Sequence, residues 1–181
     1  MDNTSLLLEE NAPDLCKVVE ALQIPKGASV SYEILSENYT DLQNTTVRPS
    51  KGNIYRNIDP STVDYKFGKV YNKDAWYPSA PVTIQSEYQI RDLSGRAIWV
   101  YPFRVQPVTN TLRVYKEVIV KVSFESHEDR TYINKVDRTF EGVYKNHFIN
   151  YESSKYDPIE EQGKMLIISH AEYISAMVPF N

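Results

Sequence analysis

The chain has 181 residues, a formal net charge of −4 and 41% hydrophobic content, enough for one domain with a core of its own. Its 20 lysines and arginines are scattered, not gathered into a stripe, which excludes a phosphate backbone as the main partner, and no apolar run approaches membrane-spanning length. A lone cysteine, Cys16, excludes an internal disulfide and reads as a small packing residue, leaving the redox compartment open.

The opening, MDNTSLLLEENAPDL, lacks the basic start and the cleavage site of a secretory leader, and the chain reads as a segment cut at both ends. Fourteen tyrosines, ten prolines and frequent β-branched residues predict sheet. LCKVVEALQI and VSYEILSENY read as strands around a turn at residues 25–28, with Val30, Tyr32 and Ile34 on one face. Between Thr40 and Ala80, Pro49, Gly52, Pro60, Gly68 and Pro78 break any regular pattern. A stretch that long and irregular predicts a functional loop region with short edge strands inside it.

Residues 81–125 predict an antiparallel meander. Val82, Ile84, Tyr88 and Ile90 share one parity, as do Ala97, Trp99, Tyr101, Phe103 and Val105, and then Leu112, Val114, Val118, Val120, Val122 and Phe124. Ser94 and Gly95 supply the first turn and residues 107–110 the second, while Lys116 interrupts the apolar parity and marks a bulge or a strand edge. Phe140, Val143, Tyr144, His147 and Phe148 then recur at helical spacing. A polar stretch, SSKYDPIEEQGK, leads to an apolar run at residues 165–168, of the kind buried on both faces of a sheet, and to SHAEY, which can open a helix. Such a tail is how an α/β domain begins.

Chemistry-bearing patterns are sparse. His127, His147 and His170 belong to no ligand spacing, SHEDR reads as a solvated turn, and the aspartates of NIDPSTVDY lack the spacing of a calcium loop. No phosphate loop or nucleophile elbow is present, so neither a metal, a cofactor nor a catalytic group is expected. Asn3, Asn38 and Asn44 stand in N-x-[ST] sequons, a pattern too common to place a protein. Trp76, Tyr77, Trp99, Tyr101 and Phe103 could stack sugars on a sheet face, but Trp99, Tyr101 and Phe103 at strand parity read more simply as core.

The phrases NAPDLCKVVEALQIPKGASVSYEI, SGRAIWVYPFRVQPVTNTLRVYKEVIVKVSF, FEGVYKNHFINYES and KMLIISHAEY, in that order, resemble the N-terminal propeptide of the gingipain-like cysteine peptidases, family C25. The most specific are YPFRVQPVTNTLRVYKEV and the exit with KMLIIS; Cys16 departs from the pattern, which more often has proline there. The resemblance covers nearly the whole chain. It implies a mainly β fold, an antiparallel β-sandwich over residues 1–150 with a short C-terminal helix. A linker at 151–163 and the start of an α/β catalytic domain at 164–181 would come next. It further implies a secreted, periplasmic or cell-surface bacterial precursor in which this part is no enzyme. Instead it docks on its cognate peptidase domain, helps it fold and inhibits it until cleaved away. The family's catalytic histidine and cysteine lie further along the precursor.

An intramolecular inhibitor acts at high effective concentration, so modest intrinsic affinity suffices. It needs a protruding segment for the substrate cleft. KVYNKDAWYPSAPV, by its place in the resemblance, is the candidate: Lys73 fills a specificity pocket, Asp74 is its neighbour in sequence, and Trp76 and Tyr77 anchor the loop. The residues alone fit equally a solvated Lys73 with aromatics that close the end of the sandwich. Lys155 and Lys164 mark the processing linker. The alternative is a non-catalytic β-sandwich module that binds carbohydrate or protein at a bacterial surface, which explains the aromatics but not the run at 165–168.

Overall fold

The computed structural model describes residues 4–125, 137–152 and 170–173. Among these described residues, seven strands occupy Thr4–Leu6 (β1), Cys16–Ile24 (β2), Ser29–Leu42 (β3), Val82–Ile90 (β4), Leu93–Val100 (β5), Phe103–Gln106 (β6) and Thr111–Glu125 (β7), and one α-helix spans Arg138–His147 (α1). They form two antiparallel sheets, β1-β2-β5-β4 and β3-β7-β6. The expected sandwich is present, with its short helix after the last strand.

Between the sheets lies a core of Leu22, Ile24, Val82 and Ile98, against which Val30, Ile84, Val100, Val118, Val120, Val122 and Phe124 pack. Each such side chain fully removed from water stabilises the fold by roughly 1.5–3 kcal/mol. The opposite face of the first sheet carries a second cluster, in which Ala21 and Leu93 meet Tyr144 and Phe148 of the helical segment. Asp137 caps α1 by accepting from the amides of Thr139 (2.8 Å) and Phe140 (3.4 Å). The helix turns Tyr144 and Phe148 fully inward, whereas Val143 is 41% exposed. His147 is also at the surface, its ring joined to the Tyr88 hydroxyl at 2.7 Å. After the helix, Ile149 donates its amide to Ala21, and Asn150 reads both backbone groups of Gln23 through its side-chain amide (2.7 and 2.9 Å).

The parity of the meander does not carry through unbroken. In β4 the register against β5 slips between Ile84 and Glu87, so Val82 and Ile84 face the inter-sheet core while Tyr88 and Ile90 face the helix. In β5 it is Ile98, not Trp99, that enters the inter-sheet core. The predicted single strand through Trp99, Tyr101 and Phe103 is two, because the chain leaves the first sheet after Val100 and enters the second at Phe103. Pro102, which cannot donate to a ladder, sits at that crossing. In β7 the expected irregularity at Lys116 is a bulge: Asn38 faces Glu117 and Tyr39 faces Tyr115, so Lys116 faces no residue of β3. Before it the buried residues are Thr111 and Tyr115; after it the inward set is Val118, Val120, Val122 and Phe124. Leu112 and Val114 therefore do not share a face with Val118, as an unbroken alternation would require. A matching bulge in β3 leaves Leu35 without a partner.

Two turns also separate expectation from structure. Ser94 and Gly95 lie inside β5, and the hairpin turns instead at Arg91 and Asp92, with Arg91 at φ 49°. Gly95 is needed for a different reason: a Cβ there would stand 2.5 Å from Phe148 Cε1 and 2.9 Å from Tyr88 Cζ. The turns at 25–28 and 107–110 are as predicted, with Gly27 at φ 70° and Asn110 at φ 48°. The first of them, however, passes the chain from one sheet to the other, since β2 and β3 do not pair. The predicted strand at residues 165–168 lies outside the described residues.

Candidate functional site

Residues 43–81 join β3 to β4 and hold no ladder strand, only 3-10 turns at Pro60–Thr62 and Lys69–Asn72 and isolated bridges from Pro49 to Pro13 and from Tyr77 to Val105. The short edge strands predicted inside this region reduce to those two bridges. Within it, residues 50–68 form a loop with a closed neck. The Asn11 amide donates to the Ser50 carbonyl and the Gly68 amide donates to the Asn11 carbonyl, both at 2.9 Å. Beyond the neck the chain is mostly solvent-facing, and it presents large apolar side chains to water: Tyr55 at 78% exposure, Phe67 at 61%, then Tyr65 and Ile58. Exposed apolar side chains grouped in this way are the kind that interaction surfaces present.

The loop has its own bracing. Ile58 donates its amide to the Tyr55 carbonyl at 3.0 Å, closing a turn at whose second position stands Arg56. Asp59 caps the following 3-10 turn through the Ser61 amide (2.9 Å), which holds its carboxyl below the usual carboxylate range. Lys51 donates to the Pro60 carbonyl at 2.7 Å and stands 4.2 Å from the centre of the Tyr65 ring. Phe67 meets Tyr71 edge to face at 4.7 Å, and Tyr71 donates its hydroxyl to Val47, with burial pushing that phenol up to about 12.

The four residues proposed from sequence divide into two pairs. Lys73 and Asp74 are exposed, and Asp74 accepts from Gln106 Nε2 at 2.6 Å, so the chain at that point is tied to the end of β6. Trp76 and Tyr77 are committed to their own domain. Trp76 covers the Arg113 guanidinium at 4.4 Å, which the Tyr39 ring covers at 3.7 Å and which Asp41 holds by two bonds of 2.8 Å. Tyr77 exchanges both backbone hydrogen bonds with Val105 (2.7 and 2.8 Å) and donates its hydroxyl to Glu9 at 2.8 Å. Burial, then the Glu9 carboxylate, raises that phenol far above its ordinary value. Beneath them Arg104 donates to the carbonyls of Pro78 (2.8 Å) and Ser79 (2.6 Å) and to the Tyr115 hydroxyl (3.1 Å). A cleft of about 410 Å³ borders this group, and Lys73 and Trp99 are among its lining residues. Lys17 stands 3.1 Å above the Trp99 ring, so the ring face a sugar would stack on is taken on that side.

Arg56 carries no site signal in the sequence; an Arg-Asn step between Tyr55 and Ile58 with Asp59-Pro60 after it is a turn pattern legible only as punctuation. Among the described residues no three His, Cys, Asp or Glu side chains converge on a metal-sized site, and Cys16 is a half-buried free thiol raised by burial. Asn38 and Asn44 are exposed, and Asn3, His127, Lys155 and Lys164 fall outside the described residues.

A two-sheet, β-rich domain with one docked helix and a braced, apolar-tipped loop is a scaffold for protein contact, and its architecture is that of a peptidase prodomain. The model of the Propeptide_C25 family matches residues 2–157, and the chain belongs to that family. It is 33% identical over 171 residues to gingipain R1 of Porphyromonas gingivalis, covering 92% of this chain and 17% of that protein. To gingipain R2 of the same species it is 31% identical, covering 91% and 23%. The chain thus spans less than a quarter of the length of either relative. Among solved structures it resembles a complex of the pro- and mature domains of RgpB from Porphyromonas gingivalis, with a TM-score of 0.72, 30% identity and coverage of 83% of this chain and 78% of that one. A structure concerned with the zymogenic latency of gingipain K shares the fold at a TM-score of 0.56 and 17% identity, covering 68% and 71%.

Proposed function

We propose that this domain is the intramolecular inhibitor and folding assistant of a gingipain-like cysteine peptidase domain that lies after it in the same exported precursor. The observation that carries the reading is the likeness, over most of both chains, to a propeptide solved in complex with its mature domain. The tether gives the contact an effective concentration that free domains lack, and cleavage within residues 151–163, with Lys155 the preferred basic residue, or at Lys164 just after them, removes that advantage. The catalytic domain begins at residue 164.

The segment that meets the peptidase is the irregular stretch between Ser50 and Tyr77. Two cations there compete for the role of specificity-pocket residue. Lys73 is exposed beside the cleft, but its neighbours Asp74, Trp76 and Tyr77 are bound to their own sandwich. Arg56 tops a free-standing turn flanked by Tyr55 and Ile58, and neither its side chain nor that of Lys73 has a hydrogen-bond or ion-pair partner among the described residues. This geometry favours Arg56 as the inserted side chain, with the exposed aromatics as the surrounding contact. The test is the inhibition constant of the 181-residue chain against the isolated peptidase domain of its precursor, for the parent chain and for Arg56→Ala and Lys73→Ala. Loss of about tenfold or more in one variant assigns the residue. A parent chain that neither inhibits nor binds the peptidase overturns the reading.

A further inference from the structure

We propose that Asn11 and Gly68 are positioning residues whose backbone clasp fixes the 50–68 loop in the conformation that meets the peptidase, an inference that rests on the inhibitory reading above. Asn11 holds both ends of this loop. Its own amide donates to Ser50 at one end and its own carbonyl accepts from Gly68 at the other. To do so it adopts φ 65°, a left-handed conformation that asparagine and glycine tolerate and β-branched residues do not.

Gly68 is glycine for a different reason. Its φ of −83° and ψ of −174° suit any residue, but a Cβ there would stand 2.6 Å from the Asn11 carbonyl oxygen and 3.0 Å from Asn11 Cβ. The neck closes this far only because no side chain intervenes. Behind it the segment is fixed further. Ser50 is 5% exposed, donates its amide to Ala12 (2.7 Å) and accepts from the Gly52 amide through its hydroxyl (3.1 Å), and Asp14 donates to Arg48 (2.9 Å).

A rigid neck beneath an exposed loop is the arrangement that preorganisation requires. Backbone order established during folding need not be established on binding, so affinity depends on the clasp apart from any contact its residues make. Burial would not produce this geometry by itself, because the loop beyond the neck has almost no buried side chains to hold it.

The experiment compares Asn11→Val, Gly68→Ala and Asn11→Gly in the full 181-residue chain. Two quantities are read: amide hydrogen exchange of residues 53–67, and inhibition of the mature peptidase domain of the same precursor. Asn11→Val cannot hold the left-handed backbone and Gly68→Ala spreads the neck, so both should raise loop exchange and weaken inhibition by about tenfold or more, with exchange in β2, β5 and β7 unchanged. Asn11→Gly keeps both backbone groups and the conformation, and should match the parent chain in both quantities. A purely structural role would not be rescued in this selective way. Unaltered loop exchange in Asn11→Val and Gly68→Ala overturns the proposal, as does faster exchange with undiminished inhibition. A parent chain with no inhibition at all refutes the function itself, an outcome distinct from either.

Discussion

Arg104, only 7% exposed, donates its Nε to the carbonyl oxygen of Pro78 at 2.8 Å, so a buried cation on β6 holds down the segment that leads from the loop into β4. Its other nitrogens serve Ser79 and Tyr115. Truncation to alanine would strand two carbonyls and a hydroxyl, and is expected to cost roughly 2–4 kcal/mol. Lysine cannot reproduce the planar fork and should recover little of this. Denaturant midpoints for Arg104→Ala and Arg104→Lys within about 0.5 kcal/mol of the parent would contradict the account.

Trp76 and the two candidate cations should separate cleanly in a stability assay. Trp76→Ala removes a half-buried ring and its contact with Arg113, and is expected to lower stability by about 1–3 kcal/mol. Lys73→Ala and Arg56→Ala should shift it by less than about 0.5 kcal/mol. Thermal melts read alongside inhibition constants check this: a Trp76 variant that weakens inhibition without any melting shift would instead place the ring at the partner's surface.

The Asp41–Arg113 pair makes a pH-dependent contribution whose sign is fixed. Hydrogen bonding to Arg113 lowers the Asp41 carboxyl below its ordinary value. Its contribution is therefore complete above the unfolded carboxylate value near about 3.9, and is lost as pH falls through the lower folded value. Asp41→Asn should be less stable than the parent at pH 7, by about 1 kcal/mol for a partly exposed pair, and should converge with it in strong acid. Urea midpoints at a series of pH values from neutral to about 2.5 test this, and a constant gap across the series would rule it out.

Gly95→Ala probes the docking of the helix. The added Cβ collides with Phe148 and Tyr88, which lie 2.5 and 2.9 Å from where it would be, so the helical segment must lift from the first sheet. We expect a loss of about 1–3 kcal/mol and faster exchange at residues 140–151, with β3 and β7 unaffected. A variant as stable as the parent would mean that Phe148 moves aside at little cost.

The longer strands are legible in the sequence by their composition, the helix by its spacing, and the family by its phrases. Which face each strand buries is not. Alternation identifies a face only while the ladder is continuous, and the slips in β4, β3 and β7 invert it without leaving any compositional mark except, at Lys116, a charge out of place. Gly95 reads as a turn because a glycine signals either freedom of the backbone or closeness of a neighbour, and only coordinates distinguish these. Trp76 and Tyr77 fit loop anchors and lids of the sandwich end equally well as residue types; their contacts with Arg113, Val105 and Glu9 tie them to their own domain. Arg56 escapes notice because a turn of polar residues does not announce whether it projects or lies flat.

The two bulges of the long β3–β7 ribbon have a consequence for how this family can vary in length. Leu35 adds one residue to β3, and Lys116 adds one to β7. Ser29 faces Glu125 and Leu42 faces Leu112, while only the steps from Ser36 to Asn38 run out of phase. The insertions thus cancel, and the ends of the ribbon meet as if neither existed. A homologue that lost one of the two residues would have to slide half of the ribbon by one position and turn its inward residues outward. A homologue that lost both would keep its ends in place. Gaps at these two positions should therefore be inherited together, although 81 positions along the chain separate them.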